Sequence, residues 1–324
     1  AASHSAMWAN IYRGFGFGGY RPGDRYLTVA GGSLLPKRMR RGYGLYFALQ
    51  NSLAYPSYHL DAEAAAELAA LIQKKKPKFI YGYSSTLFSL SQQLLAAETT
   101  VRGLVGVFTT ADMLYAEQRR IIERALGATV YDNYGCPEAG VMSWECSHHA
   151  GYHYNMESCF LQVVTPDEEG AGRLISTNLT NYAFPIVRYD TGDIGRVERA
   201  ALCGCGRSHG KVKSLLGRQR DILTLPSGRR IHGAFFNHLP AFYEDGGVQR
   251  YQIIQIAPDI VEVHVTPKPG VAFNELSYIK QQLDGVFEGE VRVELVQGEF
   301  RESAHSRKHR TVISDVDNIW SVGQ

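Results

Sequence analysis

Phe184-Pro185-Ile186-Val187-Arg188-Tyr189-Asp190-Thr191-Gly192-Asp193-Ile194-Gly195 is the stretch around which the chain is organised. It sets the carboxylate of Asp193 on a tight Gly turn directly after a short apolar run. Pro185 lacks a ladder donor, which assigns the run to a strand edge or a strand start. Thr191-Gly192-Asp193 supplies a hydroxyl, a backbone able to reach φ > 0 and a fixed anion. Taken alone the segment reads equally as an Asp-Gly turn between strands or as a ligand loop. In a ligand loop, an ionised Asp accepts from both hydroxyls of a ribose-like diol.

Two more segments accompany it: Tyr131-Asp132-Asn133-Tyr134-Gly135-Cys136-Pro137-Glu138 upstream, and Leu216-Gly217-Arg218-Gln219-Arg220-Asp221 downstream. Tyr134 offers a flat ring for a base, and Gly135 allows close backbone approach. Glu138 is a hard oxygen ligand of the kind Mg²⁺ takes beside phosphates, and Arg218 is a permanent cation. In this order and spacing the three segments resemble the adenylate-forming superfamily of acyl-CoA synthetases, adenylation domains and luciferases. Within it they resemble the phenylacetate-CoA ligase-like branch, with Cys146 and His153 in Trp144–His153 and Cys203-Gly-Cys205-Gly-Arg207 as the branch-level cues.

That resemblance implies ATP-dependent activation of a small carboxylic acid and, after it, thioester formation with CoA. Glu138 takes the Mg²⁺ role, Tyr134 with Asn133 and Gly135 the adenine, Asp193 the ribose hydroxyls, and Arg218 the ribose-phosphate end. Asp221 is the expected pivot of a cap domain. Ala111-Asp112 aligns with a family segment, usually Ser-Gly-Glu, that flanks the adenine, and departs from it. Lys308, in Ser306-Arg307-Lys308-His309-Arg310 ahead of Val312-Ile313-Ser314, aligns with a catalytic Lys, with Arg307 in place of the usual Gly. The family pattern also places a Ser/Thr/Gly-rich phosphate loop upstream of Ala1. The alternatives are a partial or degenerate relative that binds nucleotide without catalysis, and an adenylyltransferase-type relative.

Composition sets outer bounds. With 44% hydrophobic and 20% charged residues over 324 positions, the chain has material for one large core and a smaller second one. A net charge of +2 calls for neither nucleic acid nor an anionic membrane as partner, and a homodimer stays open. No run approaches the roughly 20 apolar residues of a membrane span. Five cysteines with no cleavable apolar leader read as a reduced, cytoplasmic protein rather than a disulfide framework. Cys146, Cys203 and Cys205 with either His149 or His153 could furnish a structural zinc site, an expectation the resemblance strengthens. Cys136 and Cys159 read as small buried hydrophobes.

Along the chain, residues 1–8 look helical, and Arg13-Gly14-Phe-Gly16-Phe-Gly18-Gly19 reads as a flexible loop. A strand is expected at Tyr26–Ala30. Asp61 caps a helix from Ala62 to about Lys75, followed by strand Phe79–Tyr81, helix Ser85 to about Ala97, strand Val105–Phe108, helix Leu114–Leu126 with Gly127 beyond, and strand Val130–Tyr131 leading into a Tyr134 loop. Strands follow at 160–164 and 172–176. From Gly217 a small unit alternates strongly at 251–256, 260–265 and 291–296, around a helix Asn274–Phe287. The expected fold is therefore an α/β large domain over residues 1–216, with mixed sheets and helices, plus a small α+β cap domain over 217–324.

Overall fold

The computed structural model describes residues 2–30, 47–57, 60–199, 202–236, 242, 247–301 and 311–317. Among these residues five helices exceed one turn: α1 (Ala2–Phe17), α2 (Ala62–Lys75), α3 (Ser84–Ala96), α4 (Ala116–Leu126) and, past the one-turn α5 (Gly233–Phe236), α6 (Tyr278–Phe287). Strands in the first half are β1 (Tyr26–Ala30), β2 (Ser52–Pro56), β3 (Phe79–Tyr83), β4 (Gly106–Thr110), β5 (Thr129–Cys136), β6 (Val141–Glu145) and β7 (Tyr152–Tyr154). They continue as β8 (Cys159–Val164), β9 (Gly172–Asn178), β10 (Tyr189–Glu198), β11 (Lys211–Arg218), β12 (Ile222–Thr224) and β13 (Arg230–His232), then β14 (Val248–Ala257), β15 (Ile260–Pro267), β16 (Arg292–Gln297) and β17 (Val312–Ser314).

The chain clusters into two compact units. The first holds residues 1–162, 175–191 and 196–214; the second holds 163–174, 192–195 and 215–324. In the first unit β2, β1, β3, β4 and β5 are neighbours in that order and run parallel, as strands linked by helical crossovers do. Strand alternation then decides what covers each face. Leu27, Val29, Ile80, Val107 and Val130 pack with α2, α3 and α4, whereas Tyr26, Phe79, Phe108 and Trp144 pack against Phe15 of α1. Both faces are buried, which is the usual condition of a parallel sheet. From β5 onward pairing turns antiparallel through β6, β7 and the start of β11.

The second unit has its own core. Strand order β16-β15-β14-β17 combines an antiparallel β14–β15 pair with parallel β15–β16 and β14–β17 pairs. Ile279, Leu283 and Phe287, spaced four apart on α6, bury one stripe against Val261, Val263 and Val265 of β15.

Helix termini follow their local chemistry. The Asp61 side chain accepts from the Ala64 amide, and Lys76 and Gly127 close α2 and α4 in left-handed conformation. Several expectations are corrected. Arg13–Phe17 is helical, not a loop: α1 runs to Phe17, because burial of Phe15 and Ile11 outweighs the poor helix propensity of Gly14 and Gly16. The apolar run Phe184–Val187 forms no strand, and Phe184 and Val187 are exposed. Thr191-Gly192-Asp193 is no tight turn but lies inside β10, where Gly192 takes φ 74, a conformation open to glycine. Tyr134 likewise sits within β5, not on a loop. The 274–287 helix begins as a 3₁₀ turn, Phe273–Ser277, before α6.

Candidate functional site

Four donor groups converge in the first unit. Cys146 directly follows β6, His153 is the middle residue of β7, and Cys203 and Cys205 lie in the segment before β11. Their ligand atoms all lie within 4.8 Å of one another, with three of the four residues buried. The Cys146 and Cys203 sulfurs are 3.8 Å apart, and Cys205 Sγ is 3.4 Å from His153 Nε2. Metal–sulfur bonds of about 2.3 Å and metal–nitrogen bonds of about 2.0–2.1 Å in a tetrahedron give edges of about 3.8 and 3.6 Å, so the donor set fits zinc. The sulfur separation is far beyond that of a disulfide, and all three thiols are free. Burial pushes the Cys146 thiol up to about 11. Burial acts in the same sense on Cys205, yet its bonds to Arg207, Cys203 and Cys146 bring it down to about 7, so one thiolate is accessible near neutrality. Burial also lowers the pKa of His153, favouring the neutral ring a metal takes.

The packing around this cluster is specific. The Arg207 guanidinium lies 4.0 Å from the centre of the Phe17 ring, which meets the His153 ring edge-on at 5.8 Å. His149, the other imidazole considered as a ligand, belongs elsewhere. It follows β6 with φ 47, its ring lies tilted against Tyr131 with centroids 5.5 Å apart, and its Nδ1 is 3.2 Å from Glu145 Oε2. His153 is therefore the histidine of the cluster.

A buried polar network, unread in the sequence, lies one residue away. Arg119 of α4 donates to both Glu145 oxygens, at 2.9 and 2.7 Å, and to the Val130 carbonyl at 2.6 Å. Asp132 accepts from Thr109 Oγ1 at 2.6 Å and from the Tyr152 hydroxyl at 2.9 Å, while its amide donates to Glu145 Oε2. Burial, reinforced by the neighbouring Glu145, raises the Asp132 carboxyl to about 7. Burial opposes ionisation of Glu145 too, but His149, Arg119 and the Asp132 amide hold it below the ordinary range. The one available sequence signal was Asp132 itself, two residues from Val130 and so on the core face of its strand.

The segments expected to meet a nucleotide are distributed as follows. Thr110 Oγ1 donates to Asn133 Oδ1 at 2.8 Å, so the end of β4, with Ala111 and Asp112 beyond it, is tied to β5 and to Tyr134. Asn133 Nδ2 donates to the Ser143 carbonyl, and Ser143 Oγ to the Tyr134 carbonyl, fixing both residues. Ala111 takes φ 71, a conformation that suits Gly and matches the Gly of the resembled family segment. Asp112 accepts from Ser85 Oγ. Glu138 is exposed on the turn joining β5 to β6, and its carbonyl accepts from Asn178 Nδ2 at 3.2 Å. A cavity of about 340 Å³ opens beside that turn, with Met7, Asn10, Pro137, Gly140, Met142 and Asn155 in its wall and no charged residue among those lining it.

In the second unit Arg218 Nε stands 3.6 Å from Asp193 Oδ1, with the Arg side chain exposed and the Asp largely covered. Asp221 closes the 3₁₀ turn Gln219–Asp221 that follows β11. Lys308, with Ser306, Arg307 and Arg310, lies outside the described residues.

No family profile matches the chain. Over 265 residues it is 29% identical to the phenylacetate-coenzyme A ligase of Escherichia coli K12, an alignment covering 73% of this chain and 56% of that protein. Over 116 residues it is 33% identical to the phenylacetate-coenzyme A ligase of Thermus thermophilus, covering 33% and 26%. The chain spans about half the length of the first of these relatives and less of the second. Among solved structures, 2-hydroxyisobutyryl-CoA ligase in its postadenylation state, in complex with an adenylate, aligns with a TM-score of 0.66 at 22% identity, over 97% of this chain and 70% of that one. The large mixed α/β sheet is thus that of adenylate-forming ligases. In sequence the chain is thus similar to phenylacetate-coenzyme A ligases, and its fold is that of adenylate-forming ligases.

Proposed function

We propose that this chain activates a carboxylic acid with ATP and passes the acyl group to CoA. In the first step a carboxylate oxygen attacks the α-phosphorus of ATP and pyrophosphate leaves; in the second the CoA thiolate attacks the acyl carbon and AMP leaves. The observation that carries this reading is the Asp193–Arg218 pair, a covered carboxylate beside an exposed guanidinium, in a chain whose relatives are CoA ligases. A paired-hydroxyl sugar and its phosphate suit that pair of charges.

The remaining roles follow. Ala111, Asp112, Asn133, Tyr134 and Gly135 border the adenine. Glu138 holds Mg²⁺, which when bound neutralises phosphate charge. Lys308 supplies a cation during adenylation, and Asp221 is the pivot between a large domain over residues 1–216 and a cap domain over 217–324. Cys146, His153, Cys203 and Cys205 hold a zinc ion whose contribution is structural, tying β6 and β7 to the 203–205 segment. The uncharged wall of the cavity beside Glu138 favours an acid with an uncharged body. The setting is cytoplasmic; among the described residues no helix is long and apolar enough to cross a membrane.

Carboxylate-dependent ATP–pyrophosphate exchange, run with aryl and aliphatic acids, tests the proposal. Exchange that depends on one of these acids supports it. Nucleotide binding without exchange for any acid would overturn it in favour of a non-catalytic relative.

A further inference from the structure

The Cys/His donor cluster and the buried network built on Asp132 border the neighbouring strands β5, β6 and β7, and alternation separates the two by face. Cys146 follows Glu145, the last residue of β6, and His153 follows Tyr152 on β7. Adjacent residues of a strand point to opposite faces. Glu145 and Tyr152 are register partners, as are Trp144 and His153. One face therefore presents the donor cluster and the other the buried network built on Asp132.

β7 has three residues and pairs with β11 only at His153 and Tyr152. Its three residues also pair with β6, and the cluster, through His153, adds a further anchor to this short strand. The same strand delivers the Tyr152 hydroxyl to Asp132, whose other oxygen takes the Thr109 hydroxyl. Thr109 and Thr110 end β4 immediately before Ala111 and Asp112, and Thr110 is bonded to Asn133. A displaced Tyr152 would leave a fully buried carboxylate oxygen without its partner, an arrangement resolved by movement of Asp132 and Thr109.

We infer that Tyr152, Asp132 and Thr109 form a positioning relay through which metal at Cys146, His153, Cys203 and Cys205 sets the conformation of the Thr110–Asp112 segment and, with it, nucleotide affinity. The relay rests on the proposed function for its nucleotide consequence, and on geometry alone for its conformational one. None of the three residues is assigned contact with substrate; they act through the strand ends they hold.

The test uses the full chain, zinc-loaded and chelator-treated under reducing conditions, as wild type and as Tyr152→Phe. That variant removes one hydroxyl, keeps the ring, and touches no metal donor. Two quantities are read: the AMP dissociation constant by calorimetry, and amide hydrogen exchange at Thr110, Ala111 and Asp112. Zinc content of Tyr152→Phe should equal that of wild type. Its amide exchange at the three positions should be at least about tenfold faster, and its AMP affinity about 5–20-fold weaker. Chelation of wild type should reproduce both changes, while chelation of Tyr152→Phe should add less than about twofold in affinity, since the relay is already cut. Unchanged exchange at these amides in zinc-loaded Tyr152→Phe overturns the relay, and so do fully additive effects of chelation and substitution. If zinc-loaded wild type fails to bind AMP, the functional proposal falls, and the amide exchange still decides the relay.

Discussion

Ala111 carries a backbone strain that its neighbours in sequence do not announce. Its φ of 71 is left-handed, which costs a residue with a Cβ about 1–2 kcal/mol. Glycine would remove that cost but lose about 0.4–1 kcal/mol through the freer unfolded chain. Ala111→Gly is therefore expected to raise unfolding stability by up to about 1 kcal/mol, read from denaturant midpoints at constant slope; a loss of stability would show that the Ala methyl packs usefully. Asp132 is the other residue whose behaviour departs from its type. Burial, Glu145 and incomplete compensation by Thr109 and Tyr152 raise its carboxyl from 3.8 to about 7 in the folded chain. Because the folded state holds this proton to higher pH than the unfolded one, its ionisation costs stability progressively as pH rises from about 4 to about 7, and the full cost persists above. Asp132→Asn lacks that titration. The stability of the variant relative to wild type should climb across this window by an amount on the order of a few kcal/mol, then level off. Parallel pH curves for the two proteins would show that Asp132 ionises normally.

Helix α1 shows how packing overrides propensity within an element. A Cβ at Gly14 would lie 2.2 Å from ring atoms of Trp144, which is buried in the aromatic cluster with Phe15, Phe79 and Phe108. Phe15 and Phe108 stack with centroids 4.3 Å apart, and Trp144 meets Phe15 edge-on at 5.5 Å. Helix propensity predicts that Gly14→Ala stabilises by about 1 kcal/mol. Overpacking predicts the opposite, and the buried indole has no room to yield, so a net loss of about 1–3 kcal/mol is expected in thermal or denaturant unfolding. The same aromatic face is why Arg13–Phe17 continues a helix where its glycines suggest a loop. Elements whose signals are local were legible without such help: Asp61 before α2, Gly127 beyond the end of α4, and the alternation of β14 and β15 all appear in short windows of sequence.

At the scale of the whole molecule, the functional proposal divides the labour between segments far apart in the chain, and Lys308 provides its sharpest test. Under that proposal Lys308→Ala should slow adenylation by orders of magnitude, because a positioned cation opposite developing phosphate charge is a large term in such reactions. Thioester formation from supplied acyl-adenylate should stay near the wild-type rate. Separate single-turnover measurements of the two half-reactions check this, and equal loss in both would remove Lys308 from a role specific to adenylation.

By itself the sequence determined the β/α alternation of the first unit, the α+β character of the second, the order of the nucleotide-type segments and the supply of Cys and His donors. These properties are written in capping residues, periodicity and motif spacing, which act over a few residues. Only the tertiary structure decided that Thr191-Gly192-Asp193 continues a strand, that His153 rather than His149 joins Cys146, Cys203 and Cys205, and that Asp132 is held between Thr109 and Tyr152. Each of these depends on contacts between residues distant in sequence, such as Cys146 with Cys203 across 57 positions. Burial then fixes the outcome, because a buried polar group without a partner is costly enough to select one arrangement among those that local sequence leaves open.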